Sequence, residues 1–457
     1  MNIKRIFVVL IILSSLACNF VTRAFDAPTP TSAPIPETPT PVILEPAYIP
    51  PACQGQAFAT VSPAIALAVP TPILQANPVV SPDLQIKVFN ELAGIVDEVY
   101  VYPDFNGNDW NEIKAKVRAK IDSGLDTPAF YAEIQAMIVE LDDEHSYIES
   151  PLEVAESEAD LAGASEYVGI GVYALPLIEK NLVSLIFVFP NSPAERSGLK
   201  AHDSILAVDG IPVIQNGEDL TYIVRGPQCS AVVLTVQSPA EAPRDIMLVR
   251  EKIQSPLLIQ ASLLPTSDGS RVGYIFIPTF YDETIPGQVA DALGNFGELD
   301  GLILDNRLNG GGSSAVVEPI LSYFSSGTLG QFVSRTDSRP LTIEPQPIHN
   351  SQSVPLVILV SEDTVSFGEI FSGVLRDSGR AQIVGQSTLG NVEILNGYEL
   401  SDGSSLWIAA ETFIPSNSRE NWELTGIVPD VEAHADWDTF TLETDPAIPA
   451  ALKLLGH

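Results

Sequence analysis

Residues 361–390 read SEDTVSFGEIFSGVLRDSGRAQIVGQSTLG and follow the apolar run Leu356–Val360. The apolar run predicts a buried strand, residues 366–376 predict a helix, and the AQIVG run predicts a second strand. Ser366 and Glu369 have the spacing of a capping box, in which a Ser hydroxyl satisfies a free N–H group at the start of a helix. The segment is therefore predicted to be a strand–turn–helix–strand unit with a serine at its turn.

The same alternation extends from Val272 towards the end of the chain. Strand-like runs VGYIFIP, GLILD, LVILV and AQIVG alternate with helical patterns near 286–296, 315–324 and 366–376. Alternation of this kind predicts an α/β sheet whose functional loops lie at the strand ends.

Two segments of different character precede this region. Residues 165–253 contain short β-branched runs separated by turn signals, which predict a small β-rich domain with one helix near 217–225. Residues 83–150 show apolar residues at the helical period, with further helices indicated at 109–122 and 127–142. This part is predicted to be a small helical subdomain.

The N-terminus has the pattern of an export signal. Lys4 and Arg5 precede the apolar run Ile6–Leu13, which is shorter than the roughly 20 residues that span a bilayer. The end of residues 1–18 is similar to a bacterial lipoprotein cleavage site, which implies that Cys18 is lipidated and anchors the protein to a membrane. Ser15 departs from that pattern, in which an aliphatic residue is usual, and ordinary secretion is the alternative. Both interpretations predict an extracytoplasmic protein.

The segment that follows is rich in proline. Residues 26–82 hold 14 of the 37 prolines, separated mostly by Thr and Ala. Such sequences favour extended polyproline conformations without a packed core. We interpret residues 19–82 as a linker with no binding role.

Charge and cysteine content exclude several functions. The formal net charge is −35 and the pI is about 4.2, which argues against nucleic acid and against basic contacts with anionic lipid. The 3 Cys residues do not have the spacing of a zinc or iron–sulfur site. Cys53 and Cys229 either pair or remain free thiols, and the sequence leaves both options open.

Several segments together resemble the C-terminal processing peptidases and their tricorn-like relatives, over about residues 83–433. The matching motifs are DEHS at 143–146, YVGIGV at 167–172, PNSPAERSGLKAHDSILAVDG at 190–210, VGYI at 272–275, DNRLNGGG at 305–312, the 361–390 segment and GIVPDVEA at 426–433. The resemblance implies an α+β or α/β fold: a split peptidase core of ClpP/crotonase-like type with an inserted, β-rich PDZ domain.

The resemblance and the composition together predict six segments. They are a lipoprotein-type signal peptide at 1–18, a Pro/Thr-rich linker at 19–82, a helical subdomain at 83–150, a PDZ domain at 165–253, an α/β peptidase core at 254–440 and a C-terminal tail at 441–457.

The resemblance places Ser366 at the family's nucleophile position. A helix N-terminus offers N–H groups and a positive dipole end to a developing oxyanion. The oxyanion hole is accordingly predicted from the N–H of Phe367 and an N–H of the Gly310–Gly312 loop, for which Gly311 is chosen. The alternative for Ser366 is a simple helix cap.

The family's usual base is missing from this sequence. The processing peptidases use a Lys in a G-x-x-T-[FL]-G-K stretch, and here Asn391 takes the Lys slot while Leu395 takes the slot of the following Gln. An amide cannot accept a proton near neutral pH, and no Lys lies between residues 253 and 452. The Ser/Lys dyad is therefore absent.

Two hypotheses remain. In the first, His145 is the base, as in the tricorn-like branch, and Glu423 orients it, with Glu411 and Glu393 as alternatives for the third residue. A solvated His and surface carboxylates are the alternatives to these roles. In the second hypothesis the protein is a catalytically inactive, PDZ-containing lipoprotein that binds peptides.

The resemblance also implies a substrate-binding loop, formed by Gly169, Ile170, Gly171 and Val172. Its backbone N–H groups would bind a C-terminal carboxylate while the peptide adds as a β-strand. The expected partners are unfolded proteins or C-terminal peptides, and no metal or organic cofactor is expected. The oligomeric state does not follow from the sequence.

Overall fold

A computed structural model describes residues 46, 48–55, 77–143, 145–161, 167–253 and 258–457 of the 457-residue chain. The predicted signal peptide and the predicted lipidation site Cys18 lie outside the described residues. Within the described residues, no helix is both long and apolar enough to cross a bilayer.

The α-helices are, in chain order, α1 (Pro82–Val99), α2 (Trp110–Asp122), α3 (Thr127–Val139), α4 (Pro151–Leu161), α5 (Pro193–Arg196), α6 (Ile285–Phe296), α7 (Ser314–Phe324), α8 (Phe367–Asp377), α9 (Trp422–Thr425) and α10 (Ala447–Leu455). Short 3₁₀ turns occur at Pro51–Cys53, Phe105–Gly107, Ile178–Lys180, Thr221–Val224 and Trp437–Thr439.

The strands of the first half are β1 (Tyr147–Glu149), β2 (Tyr167–Gly169), β3 (Val172–Leu177), β4 (Leu182–Val188), β5 (Ser204–Val208), β6 (Ile211–Pro212), β7 (Ile214–Gln215), β8 (Glu218–Asp219), β9 (Ala231–Gln237), β10 (Arg244–Val249) and β11 (Glu251–Ile253). Those of the second half are β12 (Gln260–Leu264), β13 (Val272–Phe276), β14 (Gly301–Asp305), β15 (Gly327–Val333), β16 (Ser338–Ile343), β17 (Leu356–Val360), β18 (Gln382–Gly385), β19 (Ile394–Glu399), β20 (Ser405–Pro415) and β21 (Val431–Glu432).

A six-stranded sheet organises the C-terminal half, with strand order β12-β13-β14-β17-β18-β21. Within this sheet, β13, β14, β17, β18 and β21 run parallel to one another, and β12 is antiparallel to β13. Helices α6, α7 and α8 share one apolar core with this sheet, while α10 belongs to a second core. Because the strands are parallel, the loops after β13, β14, β17 and β18 meet at one edge of the sheet.

A second, five-stranded sheet joins the N-terminal segment to this core. Its order is β1-β20-β15-β16, with β19 also paired to β20. Strand β1 pairs antiparallel with β20, so that Tyr147 lies opposite Trp407. Helices α1 to α3 pack on this sheet through buried residues such as Leu92, Phe130 and Leu406. The pairing brings the chain just before β1, where His145 lies, against the C-terminal half.

The PDZ region has its own core and sheet. Strands β10-β9-β5-β4-β3 form the main path of the sheet, and β3 lies at its edge. The helix predicted near 217–225 is only the 3₁₀ turn Thr221–Val224. Strands β2 and β11, at the two ends of the region, pair with each other.

The disulfide and the C-terminal segment go beyond what the sequence predicts. Cys53 and Cys229 form a disulfide. The segment 441–457, expected to be a tail, contains α10, whose Ala447 and Ala451 are fully buried. The sequence AIPAALKLL gives this helix an apolar face, which is too short to predict a helix from the sequence.

The PDZ region packs on the core around Trp437. The indole N–H of Trp437 donates to the carbonyl of Leu185 at 3.0 Å, and its own carbonyl lies 2.8 Å from Nδ1 of His202. Lys180 at the tip of the β3–β4 hairpin lies 2.7 Å from Asp436. Burial lowers the pKa of His202; the hydrogen bond to the carbonyl of Trp437 opposes this and the nearby Arg307 adds to it, so protonation of the ring is disfavoured in the fold.

We predict that the PDZ–core contact weakens in acid. The unfolded chain protonates His202 below about pH 6.5 while the folded chain resists it, so its contribution to stability is present above that pH and is lost as the pH falls through the lowered folded pKa. Urea unfolding at several pH values should show a smaller loss of stability on acidification for His202→Gln than for the wild type. Identical pH profiles for the two proteins would contradict the prediction.

Candidate active site

Ser366 occupies a sharp turn between β17 and α8. Its backbone has φ +56° and ψ −124°, a conformation that non-glycine residues rarely adopt. Such strain costs about 1–3 kcal/mol and is concentrated at functional sites. The turn places the half-buried side chain of Ser366 at the N-terminus of α8, where the first N–H groups have no partner within the helix.

The glycine loop after β14 lies directly against this turn. A Cβ at Gly311 would come within 2.7 Å of Cβ of Ser366 and 3.2 Å of the backbone N of Phe367. Only glycine fits there, and the φ of Gly311 is +91°. The N–H of Gly311, however, donates to Oδ1 of Asn309 at 3.0 Å. The predicted oxyanion residues are thus adjacent to Ser366, but one of their N–H groups is engaged.

A buried carboxylate, Glu369, braces the turn from the first turn of α8. Its Oε2 accepts from the backbone N–H of Ser366 at 3.2 Å and of Asn391 at 2.7 Å. Its Oε1 accepts from the hydroxyl of Thr388 at 2.5 Å and the N–H of Gly390 at 2.9 Å. Burial raises the pKa of Glu369, and these hydrogen bonds oppose that rise. The side chain joins the serine turn to the loop that follows β18.

His145 is held in place by Asp143 and strand β20. Oδ1 of Asp143 accepts from the N–H groups of His145 at 3.0 Å and Ser146 at 2.9 Å. Oδ2 accepts from the hydroxyl of Ser146 at 2.6 Å, and that hydroxyl accepts from the N–H of Ala409. Asp143, His145 and Ser146 are therefore tied together locally and anchored on β20, which fixes the backbone position of His145.

Two carboxylates converge on one nitrogen of His145. Nε2 lies 2.7 Å from Oε1 of Glu423 and 3.1 Å from Oε2 of Glu393. The three side chains are almost fully buried, with exposed fractions of 5% for His145, 2% for Glu393 and 15% for Glu423. We call these three residues the His–Glu cluster.

The side chains of the cluster shift one another's pKa values. Burial disfavours the imidazolium of His145, but the carboxylates of Glu423, Glu393 and Asp143 outweigh burial and raise its pKa. Burial raises the pKa of Glu393 to about 7, helped by the charge of Glu423 and opposed by a hydrogen bond from Tyr102. Strong shifts of this kind are typical of functional sites.

The predicted serine and histidine are linked, but not by a direct hydrogen bond. Among the described residues, no hydrogen bond joins the Ser366 hydroxyl to His145, and Nδ1 of His145 is buried without a partner. The connection runs through the 388–393 loop: Glu369 holds the N–H of Asn391, and the N–H of the next residue, Val392, donates to Oε2 of Glu423 at 2.8 Å.

The other predicted residues lie as follows. Glu411 pairs with Arg339 at 2.8 Å instead of facing His145. Gly169 ends β2 and Val172 begins β3, with Ile170 and Gly171 between them. A groove of about 620 Å³ lies between β3 and the 3₁₀ turn Thr221–Val224, and it is lined by the last three residues of the loop.

Four residues of the site have roles that the sequence does not predict. The sequence indicates Glu369 only as a capping partner, assigns no role to Tyr102 or Asp143, and offers Glu393 only as an alternative to Glu423. The hydroxyl of Tyr102 donates to Oε1 of Glu393 across 291 positions of sequence. Only the D-x-H-S spacing gave a local signal, because the other contacts depend on how β1 and the 388–393 loop meet.

The comparisons with known proteins agree with this architecture. The family model for peptidase family S41 matches residues 271–433, and a PDZ-domain model matches residues 188–238. A carboxyl-terminal-processing protease of Synechocystis sp. is 30% identical over 371 residues, which cover 79% of this chain and 84% of that protein. A chloroplastic C-terminal processing peptidase of Tetradesmus obliquus is 29% identical over 391 residues, or 81% and 80% of the two chains.

Among solved structures, the photosystem II D1 C-terminal processing protease superposes with a TM-score of 0.55 at 24% identity, covering 80% of this chain and 96% of that one. Fold and comparisons define a split α+β peptidase architecture with a PDZ domain, which confirms the predicted fold class and the resemblance. The chain belongs to peptidase family S41.

We predict that Glu369→Gln destabilises the fold by about 2–4 kcal/mol. A Gln has one acceptor oxygen for four donors and places its own NH₂ among them, which leaves buried groups unsatisfied. Urea unfolding measures the change, with Glu362→Gln on the exposed loop before the turn as the matched control. Equal loss in both variants, or none in Glu369→Gln, would refute the bracing role.

Proposed function

We propose that the chain is an extracytoplasmic serine endopeptidase in which Ser366 is the nucleophile, His145 the general base and Glu423 the residue that orients His145. The observation that carries the proposal is the strained backbone of Ser366 at the N-terminus of α8, packed against Gly311. A structural cap does not require positive φ, whereas a nucleophile at a strand–helix turn gains exposure from it.

The proposed base is Nδ1 of His145. Glu423 accepts a hydrogen bond from Nε2, which favours the tautomer with the proton on Nε2 and a free lone pair on Nδ1. Catalytic hydrogen bonds are often long without substrate and tighten in the complex. The mechanism accordingly requires Nδ1 to reach the Ser366 hydroxyl when a peptide is bound.

The proposed reaction has two steps. Oγ of Ser366 attacks the scissile carbonyl carbon as His145 takes its proton, and His145 returns that proton to the departing amine. Water then attacks the acyl-enzyme with the same assistance and releases the acid. The N–H of Phe367 and the glycine loop would stabilise the oxyanion, with Gly311 available once its bond to Asn309 opens.

Location and substrates belong to the same proposal. The disulfide supports an oxidising compartment outside the cytoplasm, where the N-terminal signal and a lipidated Cys18 would direct and anchor the protein. The free edge of β3 and the adjoining groove support binding of extended peptide or C-terminal tails at Gly169–Val172.

A binding protein without catalysis is the second candidate. Two observations favour it: Asn391 replaces the family's Lys, and within the described residues no hydrogen bond joins the Ser366 hydroxyl to His145. In that case the PDZ groove would act alone.

We expect Ser366→Ala and His145→Ala each to lower cleavage of an unfolded protein by roughly 10⁴-fold or more, because residues of such a site act as a unit. The rate of peptide-bond cleavage measures the effect, with the exposed Ser353→Ala and His434→Ala as matched controls. Cleavage that persists in Ser366→Ala excludes this mechanism. Loss in Ser366→Ala alone excludes His145 as the base, and an inert wild type favours the binding protein.

Peptide binding is tested separately at Gly171. A Cβ there would lie 2.3 Å from Cβ of Ser192, and φ is +81°, so Gly171→Ala should distort the loop. We expect affinity for a fluorescent peptide with a free C-terminal carboxylate to fall by at least about tenfold, since several N–H contacts to the carboxylate are displaced together. The exposed Gly210→Ala, also at positive φ but with open space around it, is the control. Unchanged binding in Gly171→Ala removes the loop from recognition.

A further inference from the structure

The His–Glu cluster contains two carboxylates, one more than is needed to orient a single histidine. Its three candidate ligand atoms, Nε2 of His145 and one oxygen from each Glu, all lie within 4.8 Å of one another. Nε2 carries at most one proton, so only one of the two carboxylates can accept from it. Oε2 of Glu393 is buried 3.1 Å from Nε2 and accepts no hydrogen bond from any residue that the structure describes.

Each carboxylate has one oxygen held from outside the cluster and turns the other towards Nε2 of His145. Tyr102 donates to Oε1 of Glu393, and the N–H of Val392 donates to Oε2 of Glu423. The remaining oxygens, Oε2 of Glu393 and Oε1 of Glu423, both face Nε2. Outer partners that fix single ligand oxygens in this way are a regular feature of metal sites.

We propose that His145, Glu393 and Glu423 form a binding site for a divalent transition-metal ion, with Zn²⁺ as the best match. One imidazole nitrogen and two carboxylate oxygens are a zinc donor set, and three protein ligands leave a fourth position open. Tetrahedral bonds of about 2.0–2.2 Å separate ligand atoms by roughly 3.3 Å. The observed 2.7 and 3.1 Å are shorter, so the two carboxylate oxygens would move away from Nε2 by about 0.2–0.6 Å to admit the ion.

Charge favours a divalent ion in this place. Ligands bind an ion in their deprotonated forms, so the bound state has a neutral imidazole and two ionised carboxylates, whose charge of −2 a divalent ion cancels. Buried charges are stable only when paired or bound to metal. Asp143, whose carboxylate accepts from the N–H of His145, adds a further negative charge beside the cluster. Imidazole in the donor set selects Zn²⁺ over Mg²⁺ and Ca²⁺.

Metal binding would also act on the proposed reaction, and this consequence alone rests on the proposed function. A metal on Nε2 forces the imidazole proton onto Nδ1, the nitrogen proposed as the base. Nδ1 would then donate to Ser366 instead of accepting from it. Zn²⁺ is therefore expected to be a reversible inhibitor that chelation removes.

The test is calorimetric titration of the exported full-length protein with ZnCl₂ in a non-chelating buffer. We expect the wild type to bind one equivalent of Zn²⁺ at the cluster. The affinity should fall by at least about tenfold in Glu393→Gln, and by about tenfold in Tyr102→Phe, where the outer partner of Glu393 is lost. Glu411→Gln, whose carboxylate pairs with Arg339, is the matched control. Excess Mg²⁺ should not compete.

The outcomes separate the two proposals. Ser366→Ala should bind Zn²⁺ as the wild type does, so zinc binding by an inactive protein supports the site even if the peptidase proposal fails. No saturable binding in the wild type overturns the zinc site. Wild-type affinity in both Glu393→Gln and Tyr102→Phe also overturns it, because the ion would then lie elsewhere, for example at the exposed pair His434 and Asp436. A zinc-induced rise in melting temperature gives the same comparison without calorimetry.

Discussion

The buried carboxylate of Glu369 is the interaction on which the site depends. It ties the N–H of Ser366 to the N–H groups of Gly390 and Asn391, two segments separated by a helix and a strand. An acid with no exposed surface is tolerated only because its oxygens receive four hydrogen bonds. The same bonds fix the loop that carries Glu393 and, through Val392, the side chain of Glu423. The strained serine turn and the His–Glu cluster are therefore parts of one hydrogen-bonded unit.

The histidine reaches this unit through sheet pairing. Strand β1 has only three residues, yet its register with β20 sets His145 two positions from a fixed point in the C-terminal half. The hydrogen bonds that the N–H groups of His145 and Ser146 donate to Asp143 then hold the backbone of this segment in place. The site is thus assembled from the two ends of the peptidase fold, with the PDZ region inserted between them, and any shift of the β1–β20 pairing would move the histidine relative to the serine turn.

Sequence reasoning predicted the parts that have local signals. The helices and strands of the C-terminal half follow hydrophobic periodicity, and the order of the motifs predicts the family. The contact of His145 with Glu423 was expected from resemblance, whereas the approach of Glu393 and Tyr102 was not, since it depends on packing between distant segments. The engaged N–H of Gly311 was equally invisible, because it results from the rotamer of Asn309. The 3₁₀ turn Thr221–Val224 and helix α10 differ from expectation for a simpler reason: both are short, and periodicity is weakest over one or two turns.

The disulfide between Cys53 and Cys229 alters what a cut in the chain can accomplish. It closes a covalent ring across 176 positions, which includes residues 56–76 of the predicted linker as well as helices α1 to α5. A peptide bond broken anywhere inside that ring leaves both pieces attached, so a nick there does not release the folded part from the N-terminal segment. Separation from the N-terminal segment requires a cut upstream of Cys53, or a cut inside the ring together with reduction of the disulfide. With the anchor proposed at Cys18, release by a cut inside the ring would depend on the redox state of the surroundings as well as on the break in the backbone.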